Sequence, residues 1–189
     1  MTFIHETAIV DDGVKIGDDT RIWHWSHISS GAIIGEKCNL GQNVYVGPNV
    51  QIGNFVKVQN NVSIYEGLII EDNVFCGPSV VFTNVINPRS GIDRSKEFKR
   101  TIVSHGASLG ANSTIICGTK IGKFAFVGAG SVITKDVKDF SLVYGVPARH
   151  HGWISEHGIK MDFKESNIFV CPIIGDKYEL IDNKVIKIN

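Results

Sequence analysis

The chain has 189 residues, 19 basic against 19 acidic side chains, and 43% hydrophobic residues, which fits one folded unit of ordinary composition. No basic stripe points to nucleic acid, and no apolar run reaches the length of a membrane span. The four cysteines (Cys38, Cys76, Cys117, Cys171) form no CxxC pair and the first residues enter the pattern described next, so a reduced, cytoplasmic setting without a signal peptide is expected.

Every sixth residue from Ile4 to Phe82 is apolar: Ile4, Val10, Ile16, Ile22, Ile28, Ile34, Leu40, Val46, Ile52, Val58, Ile64, Ile70, Cys76 and Phe82. The series resumes as Val103, Leu109, Ile115, Ile121, Val127 and Ile133. A period of six matches neither a helix nor plain strand alternation; it is an internal repeat. Two residues before each bulky position stands a small or apolar one, as in Ala8, Thr20, Ser26, Ala32, Cys38 and Val44. Residues i and i−2 of a strand face the same way. Each hexad is therefore a short strand with two inward side chains, and three hexads close one triangular coil. The reading is an all-β parallel β-helix of six to seven coils, about 30 Å long at ~4.8 Å per coil. Nine bulky positions are followed by Gly (17, 35, 41, 47, 53, 77, 110, 122, 128), read as freedom to turn a corner. Parallel crossovers are normally right-handed, but strict hexads resemble the left-handed exception.

The first stack covers residues 1–82 and the helix as a whole 1–134, with an inserted loop over 83–102. The step from Phe82 to Val103 is not a multiple of six, and the loop is polar and rich in breakers, a common seat of function. Residues 135–189 form a C-terminal cap: Gly145-Val146-Pro147-Ala148-Arg149, a short helix over 153–165, then two or three strands between Ile168 and Ile188 with turns at Pro172–Gly175 and Asp182-Asn183.

A filled prism leaves chemistry to its faces, loops and subunit boundaries. Trp23, Trp25, Tyr45, Phe55, Tyr65, Phe75 and Phe124 fall outside the inward registers, and such an aromatic surface suggests wall-to-wall packing into a homotrimer, with the space between subunits among the places left for a site. His27, then His105, are the candidates for a general base, while His24 belongs to packing or sugar binding. His5, His150, His151 and His157 are assigned to the surface. Gln59, Asn60 and Asn61 either read hydroxyls or a base, or form ladders between coils; Tyr65 closes the same Val58–Tyr65 segment and joins them as a substrate-binding candidate.

The hexads, the loop and the Gly145–Arg149 ending together resemble the left-handed β-helix acyltransferases of the hexapeptide-repeat family. Arg21–His27 (RIWHWSH), Gly41–Gly47 (GQNVYVG), Val58–Tyr65 (VQNNVSIY), Cys76–Ser90 (CGPSVVFTNVINPRS) and Leu109–Gly118 (LGANSTIICG) resemble one subgroup more closely. That subgroup N-acetylates nucleotide-linked 3-amino sugars destined for O-antigen, lipopolysaccharide and other surface glycans. Its substrates include UDP-2-acetamido-3-amino-2,3-dideoxyglucuronate and dTDP-3-amino-3,6-dideoxyhexoses.

The resemblance implies acetyl-CoA as acetyl donor and no metal. Pantetheine would lie against Gly110, Ala129 and Gly130, and the adenine and phosphate end would reach Lys135 and the Pro147–Arg149 segment, where cations suit phosphates. Relatives acting on hydroxyls place a His in the loop, whereas residues 83–102 contain none and the matching position is Asn84. A neutral amine already carries its lone pair and needs less help than a hydroxyl. The resemblance thus implies that Asn84 positions the amine, with Asn87, Arg89 and Arg94 as contacts to phosphate or carboxylate.

Three other functions compete. O-acetylation on the same fold is the nearest. A γ-carbonic-anhydrase-like enzyme would need three His around one zinc, for which His24, His27 and His105 are the available set. A non-catalytic hexapeptide scaffold would have little use for the long loop.

Overall fold

The computed structural model describes residues 1–188. Hexads generate strands of two or three residues that stack in parallel on three walls, consistent with the left-handed hexapeptide helix. The first wall carries Phe3–Ile4, Arg21–Ile22, Asn39–Leu40, Lys57–Val58, Phe75–Cys76, Ser108–Leu109, Phe126–Val127 and Ser141–Gly145. The second carries Ile9–Val10, His27–Ile28, Tyr45–Val46, Ser63–Ile64, Val81–Phe82, Thr114–Ile115 and Val132–Ile133. The third carries Lys15–Ile16, Ile33–Ile34, Gln51–Ile52, Leu68–Ile70, Thr101–Val103 and Lys120–Ile121. Below them Val137 bridges Ile121.

Both inward positions of each hexad are buried through the body of the prism, from Ile22 to Ile133. Full burial of one such aliphatic side chain contributes about 1.5–3 kcal/mol. Small polar residues in the lead-in register bond to the next coil: Thr20 Oγ1 donates to Gly35 O at 2.8 Å and Ser26 Oγ to Gly41 O at 2.9 Å. Cys38 and Cys76 serve as small hydrophobes, and burial alone pushes the Cys76 thiol up to about 12. The first coil has no coil above it, so Ile4 is exposed and Val10 and Ile16 are only partly covered.

Corners differ from the sequence reading. The glycines after the bulky positions do not supply unusual backbone angles. A Cβ at Gly47 would stand 2.9 Å from Glu66 N, and one at Gly77 2.7 Å from Ala111 N, so these positions are glycine because the next coil passes too close. The left-handed residue sits two positions later in each corner, every six residues, at Gly13, Asp19, Trp25, Gly31, Lys37, Asn43, Asn49, Phe55 and Asn61 among others. Asn and Asp tolerate that region, but Trp25 (φ 53°), Phe55 (φ 58°) and Phe124 (φ 54°) are costly there, at roughly 1–2 kcal/mol each. The corner residues are held by the coil before them: Asn43 N donates to His24 O and Asn61 N to Gln42 O.

Three further expectations are corrected. The inserted loop ends at Arg100, because Thr101 and Ile102 already pair with Leu68 and Ile69 on the third wall. Residues 153–165 are not a helix. Ala148–Ile154 folds back on Ser141–Gly145 and Lys160–Met161 pairs with it, so these residues extend the first wall beyond 134. Pairing buries Trp153 and Met161 against Phe140, which a helix in this position would leave partly exposed. Phe124, expected on an outward interface, stacks on Phe140 at 5.4 Å beneath the same cap. The last strands, Ile168–Val170, Lys177–Ile181 and Lys184–Lys187, form a separate antiparallel sheet that packs Cys171, Tyr178 and Val185 onto this cluster.

Candidate active site

The corner between the first and second walls stacks residues 18 apart in register. Down the prism it reads Trp23-His24-Trp25, Gly41-Gln42-Asn43, Gln59-Asn60-Asn61, Gly77-Pro78-Ser79, Gly110-Ala111-Asn112 and Gly128-Ala129-Gly130. Its upper half is aromatic and amide-bearing; its lower half has almost no side chain. The lower half is therefore a smooth track on which Gly110, Ala129 and Gly130 all lie; most of its N–H groups bond neighbouring coils, as Gly110 N does to Val127 O and Gly130 N to Ala111 O.

A hollow of about 330 Å³ opens beside the upper half, lined by Trp23, His24, Asn39, Gly41, Gln42, Gln59 and Asn60. Trp23 Nε1 donates to Asn39 Oδ1 at 2.8 Å, and Gln42 N donates to Asn60 Oδ1 at 2.9 Å. Asn61 Oδ1 accepts from Asn43 Nδ2 at 3.1 Å, which realises the inter-coil ladder for that residue. His24 stacks face to face on His5 at 3.6 Å, so His5 belongs to this cluster and not to open surface.

The second cleft, of about 500 Å³, lies at the C-terminal end, where the first wall outlasts the other two. Ile133, Val137, Val143 and Ala148 give it an apolar floor, and Lys135, Lys138, Arg149 and His150 line it together with Asp136, Ser141 and Asn183. Among the described residues Lys135, Lys138 and Arg149 form no ion pair. Lys138 Nζ donates to Asn183 O at 3.0 Å, bringing the tail into the cleft wall. Ser141 is buried and its Oγ has no partner among the described residues. Burial, then the charges of Lys138 and His151, hold His150 below the ordinary imidazole value. The cleft joins an apolar floor to an excess of positive charge, which suits a flat heterocycle bearing phosphate. Pro147 stands just beyond, at the exposed tip of the hairpin, after a cis peptide bond.

The loop leaves from the next corner, after the second wall. Its base is pinned: Lys99 N donates to Asn84 O at 2.9 Å, Cys117 N to Thr83 Oγ1 at 2.9 Å, and Gly118 N to Thr101 Oγ1 at 3.1 Å. The Asn84 side chain makes no hydrogen bond among the described residues. Tyr65 stands on this corner too, facing Tyr45 at 5.9 Å between ring centroids. Arg94 is turned inward to Glu97, with Nη1 2.8 Å from both carboxylate oxygens, so its charge is already answered within the loop. Arg89 and Asn87 are exposed on the loop surface.

One chain thus separates the expected site. His24, Gln59, Asn60 and the smooth track share the first corner; Asn84, Asn87, Arg89 and Tyr65 share the second. His27 lies between them on the second wall, its Nε2 3.1 Å from Asp11 Oδ1. It sits three coils above Asn84, about 14 Å at ~4.8 Å per coil. His24, His27 and His105 stand on a corner, a wall and the third corner, so they do not converge on one ion. Among the described residues no group of three His, Cys, Asp or Glu could hold a metal. Reading the sequence missed Asn39, Gln42, Lys138, Ser141 and Asn183. Stacking it in eighteens would have placed Gln42 between His24 and Asn60; nothing local marks Asn183.

Comparison with known proteins agrees with this architecture. A family model described as bacterial transferase hexapeptide (six repeats) matches residues 13–48, and one described as hexapeptide repeat of succinyl-transferase matches 31–66 and 101–135, on either side of the loop. The chain is 46% identical over 183 residues to the dTDP-3-amino-3,6-dideoxy-alpha-D-galactopyranose 3-N-acetyltransferase of Aneurinibacillus thermoaerophilus, across 97% of this chain and 93% of that protein. The chain belongs to the hexapeptide-repeat transferases. Among solved structures, a hexapeptide transferase family protein from Anaplasma phagocytophilum matches this transferase with a TM-score of 0.57 at 16% identity, over 82% of this chain and 81% of that one. A hexapeptide-repeat-containing acetyltransferase from Vibrio cholerae, solved with acetyl coenzyme A, matches with a TM-score of 0.52 at 27% identity, over 66% and 72% of the two chains.

Proposed function

We propose that this transferase moves the acetyl group of acetyl-CoA onto the 3-amino group of a dTDP-linked 3-amino-3,6-dideoxyhexose. The observation that carries the reading is the 46% identity, over nearly the whole of both chains, to an enzyme named for that reaction. It also favours a dTDP-hexose over the UDP-aminouronate left open by the motifs. The C-terminal cleft fits the donor's phosphate-bearing end, with Lys135 and Arg149 on its rim, and the first-corner track leads from it toward the amide-lined hollow.

In this mechanism the neutral amine attacks the thioester carbonyl. A C–N bond forms, the C–S bond breaks, and the departing thiolate takes the proton that the nitrogen loses. Asn84 orients the amine, and the backbone N–H of Ala111 or Ala129, the track donors not bonded between coils among the described residues, polarises the carbonyl oxygen; one such donor is worth about 3–4 kcal/mol. The loop carries no histidine, which suits an amine nucleophile better than a hydroxyl.

The site is completed by a second copy, in a homotrimer whose prisms pack wall to wall. The second-corner loop of one copy then lies against the first corner of the next. Support comes from the separation of the two halves within one chain and from exposed Phe3, Phe75, Phe126, Ile9 and Val81 on the two adjoining walls.

The test is thiol release from acetyl-CoA with dTDP-3-amino-3,6-dideoxygalactose, its gluco epimer and the UDP-3-aminouronate, each against the 3-hydroxy analogue. Turnover that depends on the amine and is fastest with a dTDP sugar is expected. Equal release with a 3-hydroxy sugar would support O-acetylation instead. Dilution into the monomer range, followed by sedimentation, should extinguish activity before the fold is lost.

A further inference from the structure

The hollow beside the first corner presents a fixed pattern of donors. An amide side chain normally offers both a carbonyl and an NH₂ group, and which faces a ligand is open. Here two neighbours that can only donate settle the matter. The indole N–H of Trp23 takes Asn39 Oδ1, and the backbone N–H of Gln42 takes Asn60 Oδ1. The NH₂ groups of Asn39 and Asn60 are the parts left over for the hollow. Gly41 lies between them and is buried; a Cβ there would press on Asn60 Oδ1 well inside van der Waals contact, so glycine keeps the amide seated and the floor flat. Gln59 lines the same space from the coil below Gly41, and its side-chain amide has no hydrogen-bond partner among the described residues. The ring of His24, braced on His5, supplies a flat wall.

We propose that this hollow reads a pyrimidine base, with Asn39 and Asn60 donating to its two ring carbonyls and Gln59 accepting from the ring N–H between them. Uracil and thymine present acceptor, donor, acceptor along that edge. Guanine presents acceptor, donor, donor, and adenine donor, acceptor; neither satisfies two fixed NH₂ donors flanking an acceptor. A donor that a bound base covers and leaves without a partner is penalised, which is how such a site rejects the wrong base. Trp23 is a positioning residue here: it acts through Asn39 by denying its carbonyl to the ligand. This inference rests on the proposed function for the pyrimidine-nucleotide sugar, and its own content is which side chains read the base and that Trp23 and Asn39 set the preference.

Asn39→Asp is the informative variant. Its carboxylate still accepts from the Trp23 indole, so the local fold is kept, while the NH₂ facing the hollow becomes an acceptor. Binding of dTDP, UDP, GDP and ADP to the trimer without acetyl donor, measured by titration calorimetry, gives the first readout. dTDP and UDP should bind at least about 10-fold more tightly than the purine nucleotides, and Asn39→Asp should weaken only the pyrimidine pair, by about 10–100-fold. Trp23→Phe should narrow the gap between pyrimidine and purine with a smaller loss of affinity. Equal binding of all four nucleotides, no binding of any, or unchanged dTDP affinity in Asn39→Asp would overturn the inference. Thiol release in parallel keeps the two claims apart. Wild-type turnover with an unchanged KM for the dTDP sugar in Asn39→Asp sinks the base pocket and leaves the acetyltransferase standing. Pyrimidine preference without turnover on any amino sugar does the reverse.

Discussion

Asn84 stands at the base of the loop, where its carbonyl accepts from Lys99 N and Thr83 next to it is tied to Cys117. Its side chain is therefore presented by a rigid base and adds little to the fold. Asn84→Ala should lower kcat about 100-fold, the scale of losing one well-placed polar contact in a transition state. The melting temperature should stay within ~2 °C. Turnover within a few-fold of wild type would remove the residue from the mechanism. His150 makes a second prediction. The folded state binds its proton less readily than the unfolded chain, whose value is near 6.5. Stability is unaffected above that value and declines as pH falls through it, until the folded imidazole also protonates. A phosphate in the cleft favours the protonated ring, so the KM for acetyl-CoA should fall as the pH drops below about 6.5, and His150→Gln should flatten both trends. The inward residues were legible because a period of six fixes register along one dimension. Asn39 was not, since its role depends on an indole from the coil before it.

At the scale of the strand and corner, two kinds of glycine separate. Gly35 has ordinary backbone angles but faces the next coil, where a Cβ would meet Gly53 O and C within 2.6 Å. Gly13 has φ +80° and nothing within 4 Å. Gly35→Ala should cost more than about 2 kcal/mol, because two backbones must part, and Gly13→Ala about 1 kcal/mol, the ordinary penalty of a left-handed alanine. Denaturant titration of the two variants measures the difference; equal costs would mean that the coils are not packed at the spacing described. Reading these glycines as turn formers was reasonable from sequence, because coil-to-coil distance is not encoded locally. The stretch 153–165 misled for a related reason. It lies outside the repeat, so only its pairing with Ser141–Gly145 shows that it continues a wall. The final three strands were legible from their own turns at Pro172–Gly175 and Asp182-Asn183.

For the whole molecule, the prism converts a one-dimensional pattern into three addresses. The first corner holds an amide-lined hollow above a smooth track, the prism's end holds a cation-lined cleft, and the second corner launches the loop. A single chain keeps the loop away from the other two, which is why the proposed site takes a second copy. The family was legible from hexads, loop and ending together; the proposed meeting of chains has only an outward aromatic surface behind it in the sequence, and Phe124 shows that such a surface can belong to a cap instead. The most direct measurement is the structure of the product formed from ¹³C-acetyl-labelled acetyl-CoA and dTDP-3-amino-3,6-dideoxygalactose. An amide carbonyl coupled to the proton on N3, stable to mild alkali, is the predicted result. A labelled ester on a sugar hydroxyl, or no labelled sugar at all, would contradict it.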